Sequence, residues 1–219
     1  HHTGQPAPEG ATVEGDAVGA TSTLLVERIR ERGATVSTEG ATLLLMGIYE
    51  DTGSLSYLTT TSRDAQAAAW LLEQLTGGGC ACWITNTVAQ AQALFAALRQ
   101  QAPAGLPLTL LHSRFPVAQR EGLEEEIKTR YGPKSPECRS GIVVGTQVLE
   151  QSLDLDFDLM VSDLAPVDLL LQRAGRLHRH ERPARPIAEP TLWVYAPRLP
   201  DGSADLGVDA VIYSEYILR

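Results

Sequence analysis

The chain has 219 residues with a net charge of -9, and hydrophobic residues make up 43% against 21% charged ones. This balance is typical of a globular protein, and it excludes a wholly disordered chain as well as a protein that grips nucleic acid through a uniformly basic surface. No apolar run is long enough for a membrane span and no signal peptide is visible, so we expect a soluble cytoplasmic protein that binds no membrane.

The first part of the chain is predicted to be helical. Capping residues precede apolar residues at helical spacing in three places, which predicts helices over residues 24–32, 38–48 and 62–75. We expect the hydroxyl residues at 21–23 to cap the first helix, Gly33 to end it, and Ser62 to cap the third. A run of glycines at 77–79 follows, and it predicts a domain boundary between residues 1–76 and 77–219.

After the glycines, short apolar strands alternate with helices. The pattern predicts strands over residues 80–85, 107–112, 141–146, 159–162 and 191–195, separated by helices over 89–99, 118–131 and 168–175. Alternation at this spacing is typical of an α/β fold with a parallel sheet and helices on both faces. In such folds ligands bind at the carboxyl ends of the strands, so we expect the functional residues there.

The segment from Thr146 to Asp154 follows the third predicted strand. The Thr146 hydroxyl and the turn amides are suited to hold a nucleic-acid phosphate, while the Asp154 carboxylate is suited to accept a ribose hydroxyl. A solvated connection with a helix-capping threonine explains the same residues equally well. The segment alone leaves both interpretations open.

Three arginines at a spacing of three, Arg173, Arg176 and Arg179, lie at the end of the last predicted helix. An exposed salt-bridge face normally interleaves acids, and none occurs between Asp168 and Glu181. Clustered guanidinium groups bind phosphate oxygens bidentately, so the cluster indicates a polyphosphate ligand. The alternative is a solvated basic helix end that the helix dipole favours.

Five segments resemble, in the correct order, the motifs of the second RecA-like lobe of superfamily 2 helicases. More closely, they resemble the CRISPR-associated type I helicase-nuclease, and the resemblance covers residues 78–219. The five segments are Asn86-Thr87-Val88, His112-Ser113-Arg114-Phe115, the Thr146-Gln147 and Glu150-Gln151-Ser152-Leu153-Asp154 pair, Asp163-Leu164-Ala165-Pro166, and Gln172-Arg173-Ala174-Gly175-Arg176 with Arg179.

This resemblance implies an ATP site in which Arg173 and Arg176 contact the γ-phosphate, with Arg176 as the arginine finger. It implies that Asp154 meets the ribose and that Gln172 and Arg179 also bind the nucleotide. It further implies a groove for single-stranded DNA, lined by Asn86, Thr87, Ser113, Arg114, Thr146 and Gln147.

The chain has no phosphate loop, which in a complete motor belongs to a first lobe. Its only lysines are Lys128 and Lys134, and neither follows such a loop. We therefore expect ATP and Mg²⁺ to be bound mainly by a first lobe outside this chain. We also expect that this chain alone does not hydrolyse ATP. The implied partners are that first lobe and a CRISPR effector complex acting in antiviral defence.

The first part of the chain carries Asp51-Thr52-Gly53, and the chain begins with His1-His2. This order resembles DHH phosphoesterases, including those fused to tRNA nucleotidyltransferases, and implies that His1, His2 and Asp51 remain from a Mn²⁺ site. A purification-tag remnant explains the histidines as well. The rival hypotheses are thus a metal-dependent phosphoesterase or nucleotidyltransferase fragment, a non-catalytic nucleic-acid-binding remnant of a gene fusion, or an unusual helicase linker at 1–75.

Overall fold

A computed structural model of the chain describes residues 17–53, 55, 57–76, 79–101, 105–136, 139–150, 153–183, 185, 187–195 and 212–213. The helices in this part of the chain are α1 (Thr21–Glu31), α2 (Thr38–Asp51), α3 (Ser62–Thr76), α4 (Val88–Gln101), α5 (Val117–Tyr131) and α6 (Val167–Ala174). The strands are β1 (Cys80–Ile84), β2 (Leu108–Leu111), β3 (Gly141–Gly145), β4 (Leu159–Asp163) and β5 (Thr191–Tyr195). A short 3₁₀ helix, Gln147–Leu149, follows β3 and is the only one of these elements that the sequence pattern did not predict.

The strands form one parallel sheet in the order β2-β3-β1-β4-β5. In the three central strands β1, β3 and β4 every residue is buried, which explains why their sequences are continuously apolar rather than alternating. The fold is therefore the expected RecA-like α/β fold. Because all strands run the same way, their carboxyl ends meet at one edge of the sheet.

Helices cover both faces of the sheet, as predicted. On one face, Trp83, Val144 and Val161 pack in a single cluster with residues of α2, α3 and α4. On the other face, Cys82, Val143 and Met160 pack with Ile127 and Tyr131 of α5. Since successive side chains of a strand point to opposite faces, each buried strand supplies both clusters.

The apolar core continues across the boundary expected at residue 77. Leu45, Ile48 and Leu72 of the preceding helices belong to the same cluster as Trp83 of β1 and Val161 of β4. Helices α1–α3 therefore form part of the layer that covers one face of the sheet. Burial of this shared surface couples the two parts of the chain, whatever their separate resemblances.

A carboxyl group from another helix binds the residues at the start of α1. The helix begins at Thr21 and its N-cap residue is Ala20, so the predicted caps at 21–23 were wrong. Instead Asp64 of α3 accepts hydrogen bonds from the backbone N–H of Gly19 and Ala20, at 2.8 and 3.0 Å, and from the Thr23 hydroxyl at 2.6 Å. This contact fixes the start of α1 against α3.

Helix α3 starts at Ser62, as predicted, but a different residue caps it. Thr61, not Ser62, precedes the helix, and its backbone N–H and hydroxyl both donate to Asp64 at 2.7 Å. The Asp64 N–H in turn donates to the Thr61 hydroxyl at 3.4 Å. The two residues form a reciprocal capping box, so one carboxyl group holds the ends of two helices.

Cys80 and Cys82 are buried free thiols, and Cys138 lies outside the described residues. None of the helices in the described ranges has the length and apolar character that a bilayer crossing requires.

Candidate nucleotide and nucleic-acid site

Polar residues follow the strands at the carboxyl edge of the sheet. Asn86 comes shortly after β1, Ser113 after β2 and Thr146 directly after β3, while Asp163 ends β4. Helix α6 begins a few residues after β4 and supplies the arginine cluster. Asn86, Ser113, Thr146 and Asp163 therefore share one edge of the sheet, where parallel α/β folds bind ligands. The far end of the arginine cluster lies elsewhere, because the Arg179 N–H donates to Asp156 Oδ1 at 3.0 Å, before β4.

Arg173 lies in the protein interior, with 0% of its surface exposed. Its Nε and Nη2 contact Glu150 Oε1 at 2.7 and 2.6 Å. Its Nη1 donates to the Ser162 hydroxyl at 2.6 Å and to the Asp163 carbonyl oxygen at 3.0 Å. This placement differs from the expected contact with a γ-phosphate, because a phosphate would have to displace these buried partners. Arg173 is held as a structural link between α6, β4 and the segment after β3.

Glu150 is the buried acid of this link. Burial raises its pKa from the ordinary value, and the nearby Arg173 opposes that change while Asp168 adds to it. A carboxylate in this environment is stable only beside its cation. Glu150 and Arg173 therefore depend on each other.

Asn86 and Gln147, both expected at nucleic acid, are bound to other parts of the chain. The Asn86 side chain donates to the Leu164 carbonyl at 2.6 Å, and its backbone N–H donates to Asp163 Oδ2 at 2.9 Å. Gln147 Nε2 donates to the Asn86 carbonyl at 3.2 Å and to the Tyr213 hydroxyl at 2.9 Å. These amides organise the loops at the sheet edge, with 5% of Asn86 exposed.

Arg176 keeps unused hydrogen-bonding capacity. Its Nη2 donates to the Glu150 carbonyl oxygen at 2.9 Å, while its buried Nε has no hydrogen-bond partner within the described part of the chain. Burial lowers the pKa of Arg176 from its ordinary value, and the neighbouring Arg179 adds to this effect. An arginine stays charged despite such a shift, so Arg176 offers a positive group with spare donors.

Arg179 and Asp154 form an ion pair at the surface. Their Nε and Oδ1 atoms are 2.6 Å apart, and the two side chains are 42% and 50% exposed. His180 Nε2 lies 3.2 Å from the same oxygen. Gln172 is exposed on α6. Asp154 is thus accessible to a ligand, but a ribose hydroxyl would have to share it with Arg179.

The remaining predicted groove residues divide between buried and exposed positions. Thr87 lies just before α4, where its hydroxyl accepts from the Gln90 N–H at 3.1 Å, a capping role. Thr146 is buried, with 3% exposed. Ser113 and Arg114 are exposed after β2. The predicted groove residues are therefore a few exposed side chains beside buried polar ones.

A buried charge cluster lies near the start of β4, and sequence reasoning missed it. The carboxyl groups of Asp156 and Asp158 face three arginines at 2.6–3.4 Å: Arg139, Arg182 and Arg185. Burial alone would raise the pKa of Asp156, but the hydrogen bonds from Arg182 and Arg185 outweigh it and lower that pKa. The sequence does show acids alternating with apolar residues at 154–158. Their arginine partners are distant in sequence, however, so the pairing becomes visible only in the folded structure.

The expected metal site has one described member. His1 and His2 lie outside the described residues, and Asp51 is an exposed residue at the end of α2. Thr52 and Gly53 after it form a turn, in which Gly53 has a φ of 53° that favours glycine. Among the residues that the structure describes, no three or more His, Cys, Asp or Glu side chains are grouped to hold a metal. Asp51 alone does not close a coordination shell around a metal ion.

Residues 77–182 match the family described as CRISPR-associated nuclease/helicase Cas3, C-terminal. The CRISPR-associated endonuclease/helicase Cas3 of Thermus thermophilus is 48% identical over 116 residues, which are 52% of this chain and 12% of that protein. The crystal structure of T. fusca Cas3-AMPPNP is similar with a TM-score of 0.61 and 40% identity, covering 69% of this chain and 18% of that one.

A second likeness concerns a different kind of protein. The A-adding tRNA nucleotidyltransferase of Aquifex aeolicus is 54% identical over 59 residues, which are 27% of this chain and 7% of that protein. This chain thus spans less than a fifth of each of these three proteins. The similarity to Cas3 agrees with the resemblance found in the motifs between Asn86 and Arg179.

Proposed function

We propose that this chain acts as the C-terminal motor lobe of an ATP-dependent DNA helicase in CRISPR interference, a form of antiviral defence. ATP would bind between this lobe and a first RecA-like lobe that carries the phosphate loop. Without that lobe the chain would bind ligands but would not hydrolyse ATP. Its partners would be single-stranded DNA, the first lobe and a CRISPR effector complex.

The observation that carries this proposal is the contrast between Arg173 and its two neighbours in the motif. Arg173 anchors α6 inside the protein, whereas Arg176 and Arg179 reach the surface beside Asp154. Arg176 has a buried Nε without a partner in the described part of the chain, as expected of a site that accepts an anion. The geometry therefore favours Arg176 as the finger, with Arg179 as a second contact and Arg173 as their support.

In the proposed cleft, Arg176 would stabilise the charge that spreads over the γ-phosphoryl group during hydrolysis. Mg²⁺, when bound, neutralises charge on the β- and γ-phosphates, and the first lobe would hold it. The buried Arg173–Glu150 pair would keep Arg176 in place, because Arg176 donates to the Glu150 carbonyl. Asp154 would accept a hydrogen bond from a ribose hydroxyl and would give up part of its ion pair with Arg179 to do so.

Single-stranded DNA would run along the carboxyl edge of the sheet. Ser113 and Arg114 are exposed there, and Thr87 and Thr146 lie at the ends of neighbouring strands. Such grooves hold backbone phosphates with hydroxyls and amides as well as with arginine, which agrees with the negative net charge of the chain.

A reconstituted motor would test this function. The chain is combined with a first lobe that carries a phosphate loop, and DNA-stimulated ATP hydrolysis is compared between the parent and Arg176→Ala. We expect a loss of roughly 10³-fold or more, the usual effect of removing an arginine finger. Arg120→Ala on α5 is the matched control, because this arginine pairs with Glu124 on the helix surface. Unchanged hydrolysis in Arg176→Ala would remove the finger assignment.

The likeness to a tRNA nucleotidyltransferase supports a second candidate, a metal-dependent phosphoesterase or nucleotidyltransferase fragment. It requires Mn²⁺-dependent activity that Asp51→Ala abolishes, and we expect no such activity from this chain. A third candidate is a nucleic-acid-binding remnant without turnover. Binding of ATP and single-stranded DNA, with no hydrolysis even after a first lobe is added, would favour that third candidate.

A further inference from the structure

Tyr49 of α2 reaches the carboxyl edge of the sheet, although it belongs to the part of the chain before residue 77. Its hydroxyl accepts a hydrogen bond from Trp83 Nε1 at 2.5 Å and donates one to Asp163 Oδ1 at 3.1 Å. The side chain is buried, with 4% exposed. The hydroxyl thus has a donor on one side and an acceptor on the other, deep in the apolar layer.

The Tyr49 ring is held firmly in this position. It packs against Trp83 with ring centroids 4.7 Å apart, and edge-on against Tyr195 of β5 with centroids 4.5 Å apart. Aromatic contacts of this kind restrict the ring without depending on the hydroxyl. The packing and the hydrogen bonds of Tyr49 can therefore be separated by experiment.

Asp163 connects Tyr49 to the candidate site. Its Oδ1 accepts from Tyr49, while its Oδ2 accepts from the backbone N–H of Asn86 at 2.9 Å. Its carbonyl oxygen accepts from Arg173 Nη1 at 3.0 Å. The two carboxyl oxygens are rigidly joined, so a contact that fixes one of them also orients the other.

We propose that Tyr49 is a positioning residue for the Asn86 turn, acting through the carboxyl group of Asp163. Helix α2, which belongs to the segment that resembles a different family, would thereby help to order the carboxyl edge of the sheet, where we predict nucleic acid to bind. The consequence for DNA rests on the proposed function. The consequence for the Asn86 backbone does not, because it follows from the hydrogen bonds alone.

Tyr49→Phe tests this proposal, since it removes the hydroxyl and keeps the ring. Without the Tyr49 donor, the Asp163 carboxyl group loses one of the hydrogen bonds that orient it, so the Asn86 N–H has a less firmly placed acceptor. We expect the Asn86 amide resonance to shift and its hydrogen exchange to accelerate. We also expect affinity for a single-stranded oligonucleotide to fall roughly three- to tenfold, the effect of weakening about one hydrogen bond.

Tyr131→Phe is the matched control. Tyr131 is also buried, and its hydroxyl donates to the Ser140 carbonyl oxygen at 3.3 Å on the opposite face of the sheet. This variant loses a buried hydroxyl and a hydrogen bond as well, so a general loss of stability appears in both. Only Tyr49→Phe should change the Asn86 amide and the DNA affinity.

The outcomes separate the two proposals. An Asn86 amide that keeps its parental shift and exchange rate in Tyr49→Phe would overturn the positioning role. If the parent chain binds no single-stranded DNA, the proposed function fails, and the Asn86 resonance still decides the role of Tyr49.

A second variant covers the case in which Tyr49→Phe does not fold. Asp163→Asn leaves one side-chain oxygen for which Tyr49 and Asn86 must compete. In Asp163→Asn, which keeps Tyr49 intact, the Asn86 amide resonance should therefore shift. An unchanged amide in that variant would also overturn the proposal.

Discussion

Arg173 and Glu150 form a buried ion pair in which two guanidinium nitrogens contact one carboxyl oxygen at 2.7 and 2.6 Å. The two residues are 23 positions apart in sequence, and neither side chain is accessible to solvent beyond 3%. This pair joins α6 to the segment after β3. It makes the first arginine of the cluster a structural support, so Arg176 and Arg179 are the two for which we propose a ligand contact.

Arg173→Ala should destabilise the protein strongly. The variant leaves Glu150 buried without its cation, and breaking such a pair costs about 3–5 kcal/mol. Chemical denaturation would measure the free energy of unfolding. Burial already raises the pKa of Glu150, so the lone carboxyl group should take up a proton and the deficit should shrink as the pH is lowered. Arg176→Ala is the comparison, and a loss as large as that of Arg173→Ala would contradict the division of roles.

Arg179→Ala should leave stability nearly unchanged. Its ion pair with Asp154 is about half exposed, and pairs of this kind contribute about 0–1 kcal/mol. We expect ATP affinity in the reconstituted two-lobe protein to fall by roughly tenfold, because one charged contact to phosphate is lost. Equilibrium nucleotide binding measures this, with Arg130→Ala on the surface of α5 as the control. Equal affinities of the two variants would argue against a nucleotide contact.

Asp64 should make stability depend on acid pH. Burial alone would raise its pKa, but hydrogen bonds from Thr23, Thr61 and Gly19 outweigh it and lower the pKa below the ordinary 3.8. A carboxyl group whose pKa is depressed by folding contributes stability that is complete above the pKa of the unfolded chain and is lost as the pH falls through the folded value.

Asp64→Asn tests this dependence. It should lower the free energy of unfolding at neutral pH by on the order of 1–3 kcal/mol, since buried donors lose their acceptor. The difference from the parent should narrow below about pH 4. Asp51→Asn alters an exposed carboxyl group and should follow the parent curve. A difference that stays constant down to strongly acid pH would refute the assignment to Asp64.

Arg114→Ala should weaken binding of single-stranded DNA and reduce its dependence on salt. Arg114 is exposed beyond the end of β2, where the proposed groove would present it to a phosphate. Loss of one phosphate contact lowers the slope of log affinity against log salt by about 0.7 for a single strand. Fluorescence anisotropy over a range of salt concentrations measures the slope. A parallel fall in affinity without a change of slope would place Arg114 away from the phosphates.

Cys80 and Cys82 should resist alkylation in the native protein. Burial raises the pKa of the Cys80 thiol to about 12, helped by Asp158, and burial also raises the pKa of Cys82. The reactive thiolate is therefore almost absent at neutral pH. Mass spectrometry after timed labelling should show both residues modified at the rate of global unfolding. Rapid labelling before unfolding would mean that this face of the sheet opens locally.

The periodicity of the sequence was sufficient to predict an α/β fold with a parallel sheet, although it did not give the strand order. Apolar runs at 80–85 and 141–146 predicted buried strands, and the alternation of such runs with helical segments predicted the helices between them. The errors were local. The residues at 21–23 were expected to cap α1, but the N-cap residue is Ala20, and Asp64 of α3 holds the start of the helix. A contact supplied from 41 to 45 residues away leaves no short-range pattern.

The order of the motifs likewise determined which residues gather at the carboxyl edge, because parallel strands bring their ends together wherever the connections are short. Which arginines of the cluster Arg173, Arg176 and Arg179 are buried and which are exposed depended on the tertiary structure. The absence of acids between Asp168 and Glu181 indicated unpaired arginines, yet Glu150 and Asp154 pair with two of them from another segment.

Burial of apolar residues also determined how the N-terminal helices are placed. Sequence resemblance separated residues 1–76 from the sheet, but Tyr49 and the apolar residues of α2 and α3 pack into the sheet's own core. Local patterns report backbone propensity and which side of an element is apolar. Whether a charged or polar side chain is buried, paired or left for a ligand depends on residues far away in sequence, so it is settled only when the chain packs.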